Sequence, residues 1–186
     1  ISFFLVEVEL WKIGDSDPAP KFNIVSEPND WAKIAYNKSS SNKELTEQRL
    51  LNLLFWEGLN DYSVANKNNL RITNKPRPRH WYTIRFGVSN THIAFIMNKR
   101  HSYIAAEIYT MNTSLYEELE SKKDEFNDIC SSIEIEWMPL VNKKSSKIIS
   151  KYPCEINNKK NWNEYYKWLI NSGELLLNAY SSIISK

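Results

Sequence analysis

The sequence predicts an α+β domain. It reads as an antiparallel sheet of about five strands, a three-strand meander plus two, packed with three helices in the order α-β-β-β-α-β-β-α. An N-terminal strand and an extended segment precede this set. Three observations carry the prediction. Runs with a two-residue apolar period follow one another from Trp81 to Tyr109, with connections too short for a parallel crossover. Stretches with a helical apolar period lie before, between and after the strand runs. Hydrophobic residues make up 42% and aromatics 13% of 186 residues, enough to bury a core in one ordinary domain.

The chain opens on "ISFFLVEVELWKI", where Val6, Val8 and Leu10 alternate with Glu7, Glu9 and Trp11. That is the period of a half-buried strand, and such a strand needs a sheet to join. With no initiator Met before it, residues 1–31 are expected to be the tail of an upstream domain. The prolines and Gly14-Asp15 of "GDSDPAPKFNIVSEPNDW" predict an extended connection rather than a regular element. Residues 32–42, with the polar "NKSSSN", read as a linker, and residues 43–186 as the α+β domain.

Within that domain, residues 43–62 predict a helix whose apolar face holds Leu50, Leu53, Leu54, Trp56 and Leu59, capped by Asn42 or Thr46. A polar connection follows, in which Pro76 and Pro78 favour extended backbone. The first meander strand places Tyr82, Ile84, Phe86 and Val88 on one face and Trp81, Thr83 and Arg85 on the other. Ser89-Asn90 forms the turn into the second strand, which turns Ile93, Phe95 and Met97 inward. The third places Ile104, Ala106 and Ile108 inward, with Tyr103, Glu107 and Tyr109 outward. "TSLYEELESKKDEFNDICSS" predicts one amphipathic helix opened by Thr113 or Ser114. "IEIEWMPL" and "SSKIISKY" predict the last two strands. Asn161 and Glu164 form a capping pattern that opens a long final helix.

The net charge of +2 conceals a segregated distribution. From Tyr62 to Ala106 there is no acid, while Lys67, Arg71, Lys75, Arg77, Arg79, Arg85, Lys99 and Arg100 and all three histidines fall there. From Glu107 to Glu136 nine acids face two lysines, and Lys143, Lys144, Lys147 and Lys151 follow. Such segregation makes either a positive face or an internal charge match. No apolar run reaches the about 20 residues of a membrane span, and no membrane partner is expected. Cys130 and Cys154 form no disulfide framework or metal motif, so a reduced, cytoplasmic setting is the default.

No motif for chemistry stands out. A two-carboxylate metal site with an assisting lysine needs an acid-x-Lys on one strand face. Glu7-Val8-Glu9 is followed by Lys12, on the opposite face, and Glu134-Ile-Glu136 by Met138. Solvated strand faces explain both pairs. His80, His92 and His101 lack metal-ligand spacing and read as structural. No nucleophile elbow or Gly-rich phosphate loop is present among four glycines. The expectation is no catalytic residue, no metal and no cofactor within these residues.

Several stretches in order, "FFLVEVELWKIGDSDPAPKFNIVSEPNDW", "LTEQRLLNLLFWEGLNDY", "KPRPRHWYTIRFGVSNTHIAFIMN", "EIEWMPL" and "WNEYYKWL", resemble the domain of unknown function family 4268 over nearly the whole chain. The most specific pieces are Lys75-Pro-Arg-Pro-Arg-His-Trp-Tyr82 and Glu134-Ile-Glu-Trp-Met138. In that family the domain commonly follows a nuclease-like domain of the PD-(D/E)XK restriction-endonuclease type in bacteria and archaea. The resemblance therefore implies an upstream nuclease-like domain as partner, and a metal centre, if any, in that domain.

Two readings of the basic segment stand. In the first, this is a non-catalytic accessory domain of a defence-type nuclease that contacts DNA. Lys75, Arg77, Arg79, Arg85, Lys99, Arg100, Lys143 and Lys144 then supply phosphate contacts, and His80 and Trp81 supply stacking surfaces. In the second, it is a protein-interaction or dimerisation module. Arg79 and Arg85 then pair with Glu107, Glu134 or Glu136, and Trp81 is core. The first requires Lys75, Arg77, Arg79 and Lys99 exposed on one surface; the second requires them in ion pairs, with an apolar patch elsewhere.

Overall fold

A computed structural model describes residues 5–11, 17, 19–26, 46–139 and 145–184. They fall into two compact units, residues 1–50 and 51–186.

The first unit holds an antiparallel ribbon of β1 (Leu5–Trp11) and β2 (Ala19–Ser26), with Val8 opposite Phe22 and Leu10 opposite Pro20. The second strand lies where the sequence predicts only an extended connection. The prolines do not prevent it: Pro20 stands second in β2, in a two-stranded sheet where every strand has an edge free of ladder bonds. Val8 and Leu10 share one face and are 54% and 71% exposed. The predicted linker, residues 32–42, lies outside the described residues.

Helix α1 (Glu47–Ala65) starts at Thr46, whose Oγ1 accepts from the Arg49 amide at 3.4 Å and whose carbonyl accepts from the Leu50 amide. The alternative cap, Asn42, lies outside the described residues. Leu53, Phe55, Trp56 and Leu59 are buried. At Gly58 the backbone meets the Tyr166 hydroxyl so closely that a Cβ has no room.

The main sheet comprises β3 (Trp81–Ile84), β4 (Thr91–Asn98), β5 (Tyr103–Thr110), β6 (Glu136–Met138) and β7 (Ser146–Pro153), in the spatial order β3-β4-β5-β7-β6 with every pair antiparallel. Thus β5 is central, and β3 and β6 are edges. Asn90, at φ +58°, makes the β3–β4 connection as expected of an asparagine, and Ser102, at φ +51°, completes the next turn. Tyr82, Ile84, Ile93, Phe95, Met97, Ile104, Ala106, Ile108 and Ile148 form the sheet side of the core.

The helices complete it. The single helix predicted after the meander is two, α2 (Thr113–Ser121) and α3 (Lys123–Ile129), broken at Lys122 with φ −115° and ψ 32°. The reason is visible in the contacts. The break turns Phe126 onto Trp137, with ring centroids 5.2 Å apart, and brings Lys122 Nζ to the Ile183 carbonyl at 3.3 Å. The α2 cap is Asn112, which accepts from the Leu115 amide at 3.1 Å, rather than Thr113 or Ser114. Helix α4 (Trp162–Ile184) follows a 3-10 turn (Lys159–Asn161). Its predicted Asn161–Glu164 cap does not form. Asn158 caps the turn instead, Asn161 donates to the Tyr165 oxygen, and Glu164 accepts from the Tyr152 hydroxyl at 2.6 Å.

Candidate nucleic-acid interface

The basic lead-in to β3 is a strap fastened at both ends by neutral hydrogen bonds. At its start, the Asn74 carbonyl accepts from the Tyr82 hydroxyl at 2.5 Å and from Asn60 Nδ2 at 3.3 Å. Asn74 Nδ2 in turn donates to the Thr83 carbonyl at 2.6 Å. At its end, the indole Nε1 of fully buried Trp56 donates to the Arg79 carbonyl at 2.8 Å. Pro76 and Pro78 stiffen the span between, which reduces the entropy lost on holding it in place. Burial raises the Tyr82 hydroxyl above its ordinary pKa, opposed by its bonds to Asn60 and Asn74, so it remains a donor at neutral pH.

The strap runs beside the free edge of β3. The His80 carbonyl accepts from the Met97 amide at 2.8 Å, which assigns His80, Tyr82 and Ile84 to the phase bonded to β4. Trp81 and Thr83 therefore direct their backbone groups outward, and the Asn74–Thr83 bond lies on that side. Strap and edge enclose a hollow of about 340 Å³ lined by Lys75, Arg77, Arg79, Arg85, Trp81, Asn74, Tyr82 and Thr83. Its lining holds four cations and no acid.

All four of those cations are exposed, and among the described residues none makes an ion pair. The pairing of Arg79 or Arg85 with Glu107, Glu134 or Glu136 does not occur. Arg79 instead lies 5.0 Å over the ring of Trp81, and His80 meets the same ring edge-on at 4.7 Å. Trp81 is 37% exposed on the edge strand and is not core. Lys99 and Arg100 are exposed in the β4–β5 turn, which the Met97–His80 bond sets beside the start of β3. Lys143 and Lys144 lie outside the described residues.

Two of the acids named as partners, Glu107 and Glu136, are taken by β7. Glu107 is 2% exposed although it stands on the outward face of β5, where solvent was expected. Both its oxygens accept from Lys147 Nζ at 2.9 Å. Burial raises the Glu107 pKa, and the Lys147 bond opposes that shift. Glu136 accepts from Lys151 at 2.6 Å. Register explains both: Lys147 and Lys151 share the Glu107 and Glu136 face of adjacent antiparallel strands, one pair step away.

The histidines are dispersed. His92 is half-buried and packs on Tyr109, with ring centroids 5.1 Å apart; burial first, then Arg85 and Lys147, lower its pKa from 6.5. His101 is exposed in the β4–β5 turn, where its amide donates to Asn98 Oδ1 at 3.1 Å. Among the described residues no cluster of His, Cys, Asp or Glu is placed to hold a metal ion, and no helix is long and apolar enough to cross a membrane. Sequence reasoning missed Asn74, Tyr82 and Thr83 in the hollow, since nothing distinguishes one asparagine in so asparagine-rich a chain, and the strand alternation marks Tyr82 and Thr83 only by face.

Fold and site together define a small α+β domain with an acid-free cationic hollow on one sheet edge. The family model described as Domain of unknown function (DUF4268) matches residues 51–184, and the chain belongs to that family. Comparisons with the curated proteins and with the solved structures find no match.

Proposed function

We infer that this is a non-catalytic domain that contacts DNA through the strap and the edge of β3. The observation that carries the reading is the hollow with four exposed cations, none of them paired among the described residues. Phosphate oxygens are the ligand that such guanidinium groups fit, in bidentate geometry. Arg79 and Arg85 flank β3, whose four residues span roughly 13 Å, room for neighbouring phosphates of one strand. Lys99 and Arg100 extend the same surface. The family resemblance supplies the setting: an accessory domain of a restriction-endonuclease-like protein, serving phage defence in the prokaryotic cytoplasm, with catalysis and any metal in an upstream nuclease-like domain.

Titration of labelled duplex DNA with the 186-residue chain at low salt tests this. Micromolar binding that weakens as salt rises and is lost in Arg77→Ala/Arg79→Ala is the expected result. No binding at the lowest salt overturns the reading.

A second reading, an interaction or homodimerisation module, draws on Val8 and Leu10, exposed side by side on one face of β1. Sedimentation of the chain and of Leu10→Glu separates the two. A dimer lost in the variant supports the module, and a monomer at all concentrations removes the dimer.

A further inference from the structure

We propose that the hollow between the strap and the β3 edge receives one unpaired nucleotide, with its base stacked on Trp81 and its phosphate on the strap cations. This rests on the DNA-contact reading above and names the form of nucleic acid that the site selects.

Three features separate this from general backbone contact. Duplex phosphates lie on the outside of the helix and need only a cationic surface, whereas here the cations rim a small hollow. Its volume of about 340 Å³ exceeds what a phosphate group fills and lies within the range of small-molecule sites. The hollow also has an aromatic wall. Trp81 is 37% exposed, and a planar cation, the Arg79 guanidinium, already lies over its ring with its carbon 5.0 Å from the centroid. A base offers Trp81 the same planar partner with a larger surface. Finally, the outward backbone groups of Trp81, the Thr83 amide and Asn74 Oδ1 place donors and acceptors within the same walls, while the Thr83 carbonyl and Asn74 Nδ2 satisfy each other. A phosphate uses only donors, whereas a base edge uses both.

The site is also built before the ligand arrives. Its rim is held from behind by Trp56 and Tyr82, two buried residues, so ordering the strap costs little on binding. Unpaired bases reach such a concavity without the unstacking that a paired base requires.

The test compares three labelled duplexes of one sequence: blunt, carrying a single unpaired thymidine, and carrying an abasic residue at the same bulge. The unpaired thymidine is expected to tighten binding about tenfold over the blunt duplex, the worth of one base–aromatic stack. The abasic bulge, which keeps the extra sugar-phosphate and lacks only the base, is expected to fall back to the blunt value. Trp81→Ala should abolish the difference between the thymidine and abasic bulges, whatever its effect on blunt-duplex affinity, and Trp81→Phe should keep most of it. Equal affinity for the thymidine and abasic bulges, or a preference that survives Trp81→Ala, overturns the proposal. If blunt duplex still binds in that case, the DNA-contact reading stands without it. If no duplex binds, both fall.

Discussion

Two sets of cations on one sheet meet opposite fates. Lys147 and Lys151, on β7, point at carboxylates of neighbouring strands and are consumed by them. Arg79 and Arg85, flanking β3, make no ion pair among the described residues, and with Lys75 and Arg77 they line a hollow. The cause is position in the sheet. β7 lies between β5 and β6, each of which presents a glutamate on the shared face. β3 is an edge with only β4 beside it, and β4 has no acid in its sequence Thr-His-Ile-Ala-Phe-Ile-Met-Asn. Basic residues with an acid in register become structure; those at an edge facing an acid-free neighbour stay available to an external anion.

The strongest way to break this comparison is to remove what holds the edge in place. Trp56→Ala deletes a fully buried indole and the donor to the Arg79 carbonyl. It should cost about 3–5 kcal/mol in chemical denaturation. On the paired side, Glu107→Ala leaves Lys147 without its partner and opens space in the sheet, and should cost about 1–3 kcal/mol. The exposed Lys151–Glu136 pair should matter less: Glu136→Ala is expected to change stability by under about 1 kcal/mol. The Tyr166 hydroxyl, buried against Gly58 with no hydrogen-bond partner among the described residues, gives a change of opposite sign. Tyr166→Phe should leave stability unchanged or raise it by about 1 kcal/mol, since it removes an unsatisfied polar group.

The smallest effect sharpens the picture of how far the free cations reach. His92 faces Tyr109, Arg85 and Lys147, and its folded pKa lies below 6.5. A lowered folded pKa means stability that is complete above 6.5 and lost as pH falls through the folded value. Urea midpoints should therefore drop between about pH 7 and about pH 5 by more in the native chain than in His92→Gln. Equal slopes would remove His92 from the account.

The meander was legible because its period and its turn residues agree, and Asn90 adopts the left-handed backbone that its type suggests. The final helix was legible through its apolar face. Its cap was not, since Glu164 serves Tyr152 on β7, a partner distant in sequence. The break at Lys122 was hidden for the same reason: an unbroken helix satisfies local propensity, and only packing of Phe126 on Trp137 decides otherwise. β2 was masked by prolines that turn out to be compatible with a two-stranded ribbon. At the site, the charge pattern singled out the cations and Trp81. Which of them would find an acid depended on strand order, which neighbouring residues do not encode. Glu107 showed this most clearly: alternation put it outward, while the partner that bonds its carboxylate lies 40 residues on.

The most direct measurement is the salt dependence of duplex DNA binding for three proteins: the native chain, Arg77→Ala/Arg79→Ala and Lys151→Ala. If the edge cations meet phosphates and the β7 lysines do not, the slope of log K against log salt falls by about two in the double variant. It should stay unchanged in Lys151→Ala. Equal slopes in all three, or a loss only in Lys151→Ala, would contradict the assignment of the β3 edge as the anion-facing surface.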